Sequence, residues 1–520
     1  MIHLLTHTVQ NSAQRTPDQE AFRCANRSIS FAHLAKRMNQ LANLLLQSGV
    51  QRGDRVGVFL NRSLETAIAI YGIMQAGAAY VPLDSSAPAP RTRFLLQDCG
   101  IKHLVTNPSQ RRGLQQILSE KTNLRSVIGL KGEWPVESIS WEEVEQMKSH
   151  APPVRILEND LAYLMYTSGS TGAPKGIMHT HRSGLAYAKL SAGLYGLTPD
   201  DRIGNHAPLY FDISTFGYFS APLAGATTVI VPDAHTKMPA SLTQLMEKER
   251  LSIWYSVPLA LVQMLQRGLL EKRDLTSLRW VLYGGEPFPS KHLRKLMQQW
   301  PQARFSNVYG PAEVNQCTFY HFPKPPEEGE APPLGQVWDN TEMLVLDEKN
   351  EEVASGQTGE LLIRTATMMR GYWNNPKLTQ NSLFKKETVP GMEEAFYRTG
   401  DLVKIGDDGL LYFLGRKDRQ IKTRGYRVEL DEVANALLSH EAIAEAAVFP
   451  VGNKDGGRLI EAAVILKNGM DTDGEALRKY LADRLPSYAL PQKIYFRNGF
   501  PRGSTGKIDY HQLAQIVSKL

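Results

Sequence analysis

Apolar residues recur at spacings of three and four from residue 28 to residue 46, which predicts an amphipathic helix with Ser30 placed to cap it. Gly53–Leu60 then reads as a strand, residues 63–76 as a helix, and Ala76–Asp84 as a small-residue turn into a further strand. Residues 101–160 repeat the alternation with weaker signals, and Leu161–Met165 is a short apolar run that reads as a buried strand. Residues 252–261 read as strand, turn and helix, Leu278–Glu286 as a strand ending in Gly-Gly, and Ser306–Glu313 as strand and turn. Strands alternating with helices predict an α/β architecture, with mostly parallel sheets flanked by helices on both faces. Gly359–Arg364 and Gly371–Tyr372 suggest a small β-rich subdomain. Beyond it, helix (431–439), strand (442–450), strand (459–466), helix (474–484) and strand (492–496) make a compact α+β unit.

Composition changes this picture little. The chain has 520 residues, 42% hydrophobic and 22% charged, enough for two or more domains with large cores. No apolar run approaches the roughly 18 residues that read as a membrane-spanning helix, and the N-terminus lacks the pattern of a signal peptide. Cys24, Cys99 and Cys317 are widely spaced and odd in number, which argues against a disulfide scaffold or zinc site and suits a reducing cytoplasm. A net charge of +6 is small for this length, and no dense basic run interleaved with aromatics points to nucleic acid. A mildly basic surface suits an acidic protein partner.

The chemistry gathers around one stretch, Tyr166 to Gly176, which reads Tyr-Thr-Ser-Gly-Ser-Thr-Gly-Ala-Pro-Lys-Gly. Gly169 and Gly172 permit the backbone angles that turn N–H groups inward around an anion. Thr167, Ser168, Ser170 and Thr171 supply hydroxyls, and Lys175 a positive charge for phosphate oxygens. The commoner phosphate loop sets lysine directly after glycine and a hydroxyl after lysine. Here Ala173 and Pro174 intervene and Gly176 follows, so this is a different loop. A flexible linker has similar composition, but rarely follows a buried strand.

A second signal is Asp212, a lone carboxylate inside the apolar run Asn205–Phe219. Burying an unpaired charge is costly. Two roles suit it: a helix N-cap before Ser214, or a counter-charge for a substrate ammonium group. The Thr-Gly-Asp turn ending at Asp401 and the basic stretch Gly415–Glu429 read, taken alone, as a surface turn and a solvated hairpin.

Together these stretches resemble the adenylate-forming superfamily of amino-acid adenylation domains, acyl-CoA synthetases and luciferases, and the likeness runs from about Phe31 to Asp509. The resemblance implies a large N-terminal domain over residues 1–417 and a small mobile α+β lid over 418–520, hinged at Asp418. It implies ATP as co-substrate, with Mg²⁺ held by Glu313. Nucleotide contacts fall to the 167–172 loop, to Gly284, Gly285 and Glu286, to Asn307, Tyr309 and Gly310, to Asp401 at the ribose, and to Arg416. Lys507, in the terminal Arg-Gly-Ser-Thr-Gly-Lys-Ile-Asp motif, and Lys175 are the catalytic lysines it implies. The usual family form is Tyr-Gly-Pro-Thr-Glu, and Ala312 stands here in place of the threonine.

In amino-acid-activating members an aspartate at the place of Asp212 binds the α-amino group, which shifts the expected substrate from a fatty or aryl acid to an amino acid. Pocket walls carry over as Asp212, Ile213, Phe216, Tyr255, Val281, Tyr283, Val308, Gln316 and Cys317, closed by Lys507. This mostly apolar set, with no second charge, predicts a compact neutral side chain. Tyr255 and Cys317 resemble the pocket of free-standing prolyl–carrier-protein ligases, whereas Tyr283 and Gln316 depart from it toward alanine or a β-amino acid. Proline is narrowly favoured. The sequence shows no carrier-protein or condensation motif, so the expected acceptor is the phosphopantetheine thiol of a separate carrier protein. An acyl- or aryl-CoA ligase, a luciferase-like oxygenase and a non-catalytic homologue are the competing readings. Asp212 speaks against the first, and Lys175, Glu313, Asp401 and Lys507 against the last.

Overall fold

The computed structural model describes residues 2–169, 173–452, 457–502 and 508–517. The chain divides into two compact units. One comprises Met1–Ser85, Leu96–Met165 and Gly176–Lys417, and the other Ser86–Leu95, Tyr166–Lys175 and Asp418–Leu520. The second unit therefore includes the phosphate-loop stretch and residues 86–95 as well as the C-terminal segment.

The first unit is built on mixed sheets. In a nine-stranded sheet the central neighbours Arg304–Tyr309, Trp280–Gly284, Ile253–Ser256, Arg202–Asn205, Thr227–Ile230 and Glu20–Cys24 run parallel. Antiparallel strands close its edges, Thr318–His321 and Gln336–Val337 on one side and Arg27–Ser30 on the other. An eight-stranded sheet runs in the order Gly371–Tyr372, Lys175–Thr180, Leu161–Thr167, Ala79–Pro82, Arg55–Phe59, His103–Thr106, Ser126–Ile128 and Glu137–Ile139. A five-stranded antiparallel sheet, Thr341–Leu346, Thr358–Thr365, Met392–Ile405, Leu383–Val389 and Leu411–Arg416, forms the β-rich part.

The helices follow from their patterns. Phe31–Gln47 buries one stripe, and its N-cap Ser30 accepts a hydrogen bond from the His33 amide. Residues 28–30, expected in this helix, instead pair as an edge strand with Glu20–Cys24. Leu64–Gln75 is apolar nearly all round and is buried on all sides, as such a helix must be. Gly371–Tyr372, expected in the β-rich subdomain, pairs with Ile177 and Met178 in the eight-stranded sheet.

In the second unit a hairpin, Gln420–Thr423 with Tyr426–Glu429, precedes helix Leu430–Leu438. A three-stranded sheet of Ile443–Gly452, Arg458–Leu466 and Ile494–Phe496 and the helix Gly474–Ala482 complete its main body. Val428, Val433, Leu437, Val448, Val464, Leu477 and Leu481 interlock as the core.

Candidate active site

Three parallel neighbours, Ile253–Ser256, Trp280–Gly284 and Arg304–Tyr309, bring their carboxyl ends together. Open α/β sheets present ligands at that end. Register pairs Tyr255 with Leu282 and Gly284 with Val308. A Cβ on Gly284 would lie 2.2 Å from the Val308 carbonyl oxygen, and one on Gly310 would lie 2.2 Å from that of Asn315. Both positions therefore exclude any larger residue.

Side chains alternate along a strand, and this decides which residues meet. Trp280 and Leu282 pack with Phe216, Tyr255, Val308 and the partly buried Ile213. Val281 and Tyr283 belong to a different cluster, with Phe288 and Phe305. The Tyr283 ring meets Phe288 edge-on at 4.9 Å. Val281 and Tyr283 thus do not join the other expected pocket walls, and Leu282 and Gly284 share the face of Tyr255. Cys317 also packs elsewhere, with Tyr309 and Val314. Its amide and thiol both point to the Tyr309 carbonyl, and the thiol is fully buried.

Phe216 meets Tyr255 edge-on at 5.8 Å. The Gln316 amide donates to the Tyr255 hydroxyl, and Gln316 Oε1 is buried without a partner. Asp212 opens a short turn, Asp212–Ser214, followed by a wider helical turn, Phe216–Ser220. Asp212 is not the capping residue there. The cap position is Phe211, and Asp212 Oδ1 accepts the neighbouring Ile213 amide at 2.9 Å. Its charge reaches several buried phenols. Burial raises Tyr163, Tyr187 and Tyr255 above the ordinary tyrosine range, and the nearby Asp212 carboxylate adds to each. Tyr187, stacked on Trp338 at 6.0 Å, carries no sequence signal that would have placed it in this group.

Among the residues expected to meet the nucleotide, the Tyr309 hydroxyl donates to Asp401 Oδ2 at 2.5 Å and Arg416 donates to Asp401 Oδ1 at 2.5 Å. Asp401 and Arg416 are direct cross-strand partners, and the carboxylate is buried. Burial and then the Asp401 charge hold the Tyr309 phenol well above its usual range. Asn307 spends its amide on the Pro333 carbonyl at 2.7 Å. Gly285 continues from Gly284 with φ +97°, and Glu286 beside it is half-buried.

Glu313 is fully buried, and its Oε1 accepts the Tyr372 hydroxyl at 2.7 Å. Sequence reading left Tyr372 in a small β-rich subdomain, and the fold instead sets its hydroxyl on the Glu313 carboxylate. Among the described residues no group of three or more His, Cys, Asp or Glu side chains gathers as a metal cage. A single carboxylate fits Mg²⁺, which usually takes one or two carboxylates and completes its shell with substrate phosphates and water.

Within the second unit, Ser168 donates to the Arg427 carbonyl at 2.9 Å and accepts the Glu429 amide at 3.2 Å. Lys175 Nζ lies 3.8 Å from Glu429 Oε1, which also accepts the Gln420 amide at 2.5 Å. Thr167 ends the strand Leu161–Thr167 rather than standing in the loop. Gly169 follows Ser168 there, and a Cβ on it would lie 2.0 Å from the Ala173 carbonyl oxygen. Asp418 accepts the Gln420 amide at 3.1 Å. Ser170, Thr171, Gly172 and Lys507 lie outside the described residues.

Comparison with known proteins places the chain in a family. A family model described as AMP-binding enzyme matches residues 9–373, and one described as AMP-binding enzyme C-terminal domain matches residues 432–507. The chain is 32% identical over 516 residues to an L-proline–[L-prolyl-carrier protein] ligase of Pseudomonas fluorescens, covering 99% of both. It is 33% identical to a ligase of the same description from Streptomyces coelicolor, over 93% of this chain and 91% of that protein. The fold is shared with the amide bond synthetase McbA of Marinactinospora thermotolerans, at a TM-score of 0.86 and 23% identity over 99% of each chain.

Proposed function

Since the chain belongs to the AMP-binding enzyme family, we propose that it activates a compact amino acid, proline foremost, with ATP and loads it onto a carrier protein. The observation that carries the amino-acid reading is Asp212, the only acidic residue in the run Asn205–Phe219, whose charge reaches Tyr255 in the cluster that holds Phe216 and Val308. The prolyl–carrier-protein ligases of two bacteria, similar along nearly the whole chain, support proline as substrate and a carrier protein as acceptor, and the accepting group in this reading is the phosphopantetheine thiol of a separate carrier.

In the first step a carboxylate oxygen of the amino acid attacks the α-phosphorus of ATP. That bond forms as the bond from α-phosphorus to the pyrophosphate oxygen breaks, and pyrophosphate leaves with the electron pair. In the second step the carrier thiol, having lost its proton to solvent, attacks the acyl carbon, and AMP leaves. Neither step needs a nucleophile from the protein, so the work is positioning and charge neutralisation. Asp212 takes the ammonium, Asp401 the ribose hydroxyls, and Tyr309 and Gly284–Gly285 border the base. Lys175 takes the departing phosphates, and Lys507, by its place in the terminal motif, bridges the substrate carboxylate and the α-phosphate. Glu313 is the carboxylate for Mg²⁺, which when bound supplies charge neutralisation at the phosphates.

The test is carrier loading. Incubation with ATP, L-proline and a phosphopantetheinylated carrier should add one prolyl group to the carrier, read by intact mass, and Asp212→Ala should abolish it. Loading of a fatty or aryl acid, unaffected by Asp212→Ala, would reject the reading.

A further inference from the structure

His179 lies in the strand Lys175–Thr180, 2% exposed, in a place with no part in the reaction described above. Its Nε2 is 2.9 Å from the carbonyl oxygen of Ala312, the residue directly before Glu313. A carbonyl only accepts, so Nε2 carries the proton. Nδ1 then accepts, and it stands 3.3 Å from the hydroxyl of Ser183. Ser183 belongs to the capping box that starts the helix His181–Leu194. The ring stacks on Tyr163 at 4.8 Å and 16°, and Tyr163 stacks in turn on Tyr80 at 5.5 Å. Imidazole orientation is thus fixed by two hydrogen bonds and a ring stack. Burial pulls its pKa down to about 4, so the ring is neutral at neutral pH and keeps this tautomer.

Glu313 itself is held from the other side. Its carboxylate accepts from Tyr372, and its main-chain carbonyl accepts the Met369 amide at 2.7 Å. We propose that His179 is a positioning residue for nucleotide activation, fixing the Ala312–Glu313 peptide so that the Glu313 carboxylate meets Mg²⁺ and the phosphates in one orientation. The proposal rests on the reading of Glu313 given above. Ala312 has no side-chain hydroxyl to anchor this segment, and the imidazole anchors it through its main chain.

The test compares His179→Phe, which keeps a ring for the stack and removes the donor, with His179→Gln, which keeps a donor. Calorimetry on the full chain measures ATP binding with Mg²⁺ and with EDTA. His179→Phe should lose about tenfold in the gain that Mg²⁺ gives to ATP binding, the usual scale for groups that orient a metal-binding carboxylate. Its KM for proline should stay within about twofold, and His179→Gln should recover most of the loss. A Mg²⁺ gain unchanged in His179→Phe, or an equal loss in both variants alongside a matching fall in Tm, would overturn the proposal. Glu313→Gln serves as the reference. If it leaves the Mg²⁺ gain intact, the reading of Glu313 fails and the proposal with it. If it removes the gain while His179→Phe does not, only the role of His179 fails. Should His179→Phe not fold, the unsubstituted chain labelled with ¹⁵N-histidine decides. Its His179 Nε2–H resonance, assigned by its loss in His179→Gln, should shift with ATP and Mg²⁺ but not with ATP and EDTA, and a resonance indifferent to both overturns the assignment.

Discussion

The hydroxyl of Tyr309 donates to Asp401 Oδ2 at 2.5 Å, across 92 residues of sequence, while Arg416 holds the other carboxylate oxygen. The carboxylate proposed for the ribose is therefore fixed in orientation by a phenol and a guanidinium. Tyr309→Phe removes one of these donors and leaves the ring. A hydrogen bond to a charged group contributes about 1.5–3 kcal/mol, so the KM for ATP should rise about tenfold or more. The KM for the amino acid should stay unchanged, as steady-state kinetics with each substrate varied in turn would show.

Tyr255→Phe tests the amino-acid side. Gln316 Oε1 is already without a partner, and losing the Tyr255 hydroxyl would leave the amide end unpaired as well. Stranding a buried polar group costs about 1–3 kcal/mol, whereas replacing both partners by apolar groups is close to neutral. Tyr255→Phe should therefore lower the Tm, and the double variant Tyr255→Phe/Gln316→Leu should recover most of it. A double variant no more stable than the single one would contradict this account.

Acid should destabilise the fold in a defined window. Burial pulls His179 and His181 down to about 4 and His206 to about 3, against about 6.5 in an unfolded chain. Between those values the unfolded chain binds protons that the folded one refuses, so stability is full above about pH 6.5 and falls as pH drops toward 4. Thermal unfolding from pH 7.5 to 4.5 should show the decline. His206→Phe, which keeps a ring beside Trp254 and carries no proton, should remove part of the slope.

Much of the fold was legible because its signals are local. Leu161–Met165 declared a buried strand by its apolar run, and Ser30 declared a helix start by its chemistry. The two-residue strand Gly371–Tyr372 is too short for any period, so its place beside Ile177 and Met178 was not legible. Asp212 stood out as an anomaly in an apolar run, whereas Asp401, alone a surface turn, stood out only through the resemblance. Val281 and Tyr283 were placed with Tyr255 because motif position does not fix which face of a strand a residue takes, and here the pleat sets Leu282 and Gly284 on the face of Tyr255 and Phe216. Tyr372 and His179 were invisible for a different reason. Their partners, Glu313 and Ala312, lie 59 and 133 residues away in the sequence, and only the folded chain brings them together.

The most direct test of the central claim is ATP–pyrophosphate exchange, with Mg²⁺, across the proteinogenic amino acids together with β-alanine, D-alanine, benzoate and a medium-chain fatty acid, in the unsubstituted chain and in Asp212→Ala. The account predicts strong exchange with proline, or with another compact amino acid, and its loss in Asp212→Ala. Exchange confined to benzoate or the fatty acid, and indifferent to Asp212→Ala, would contradict it.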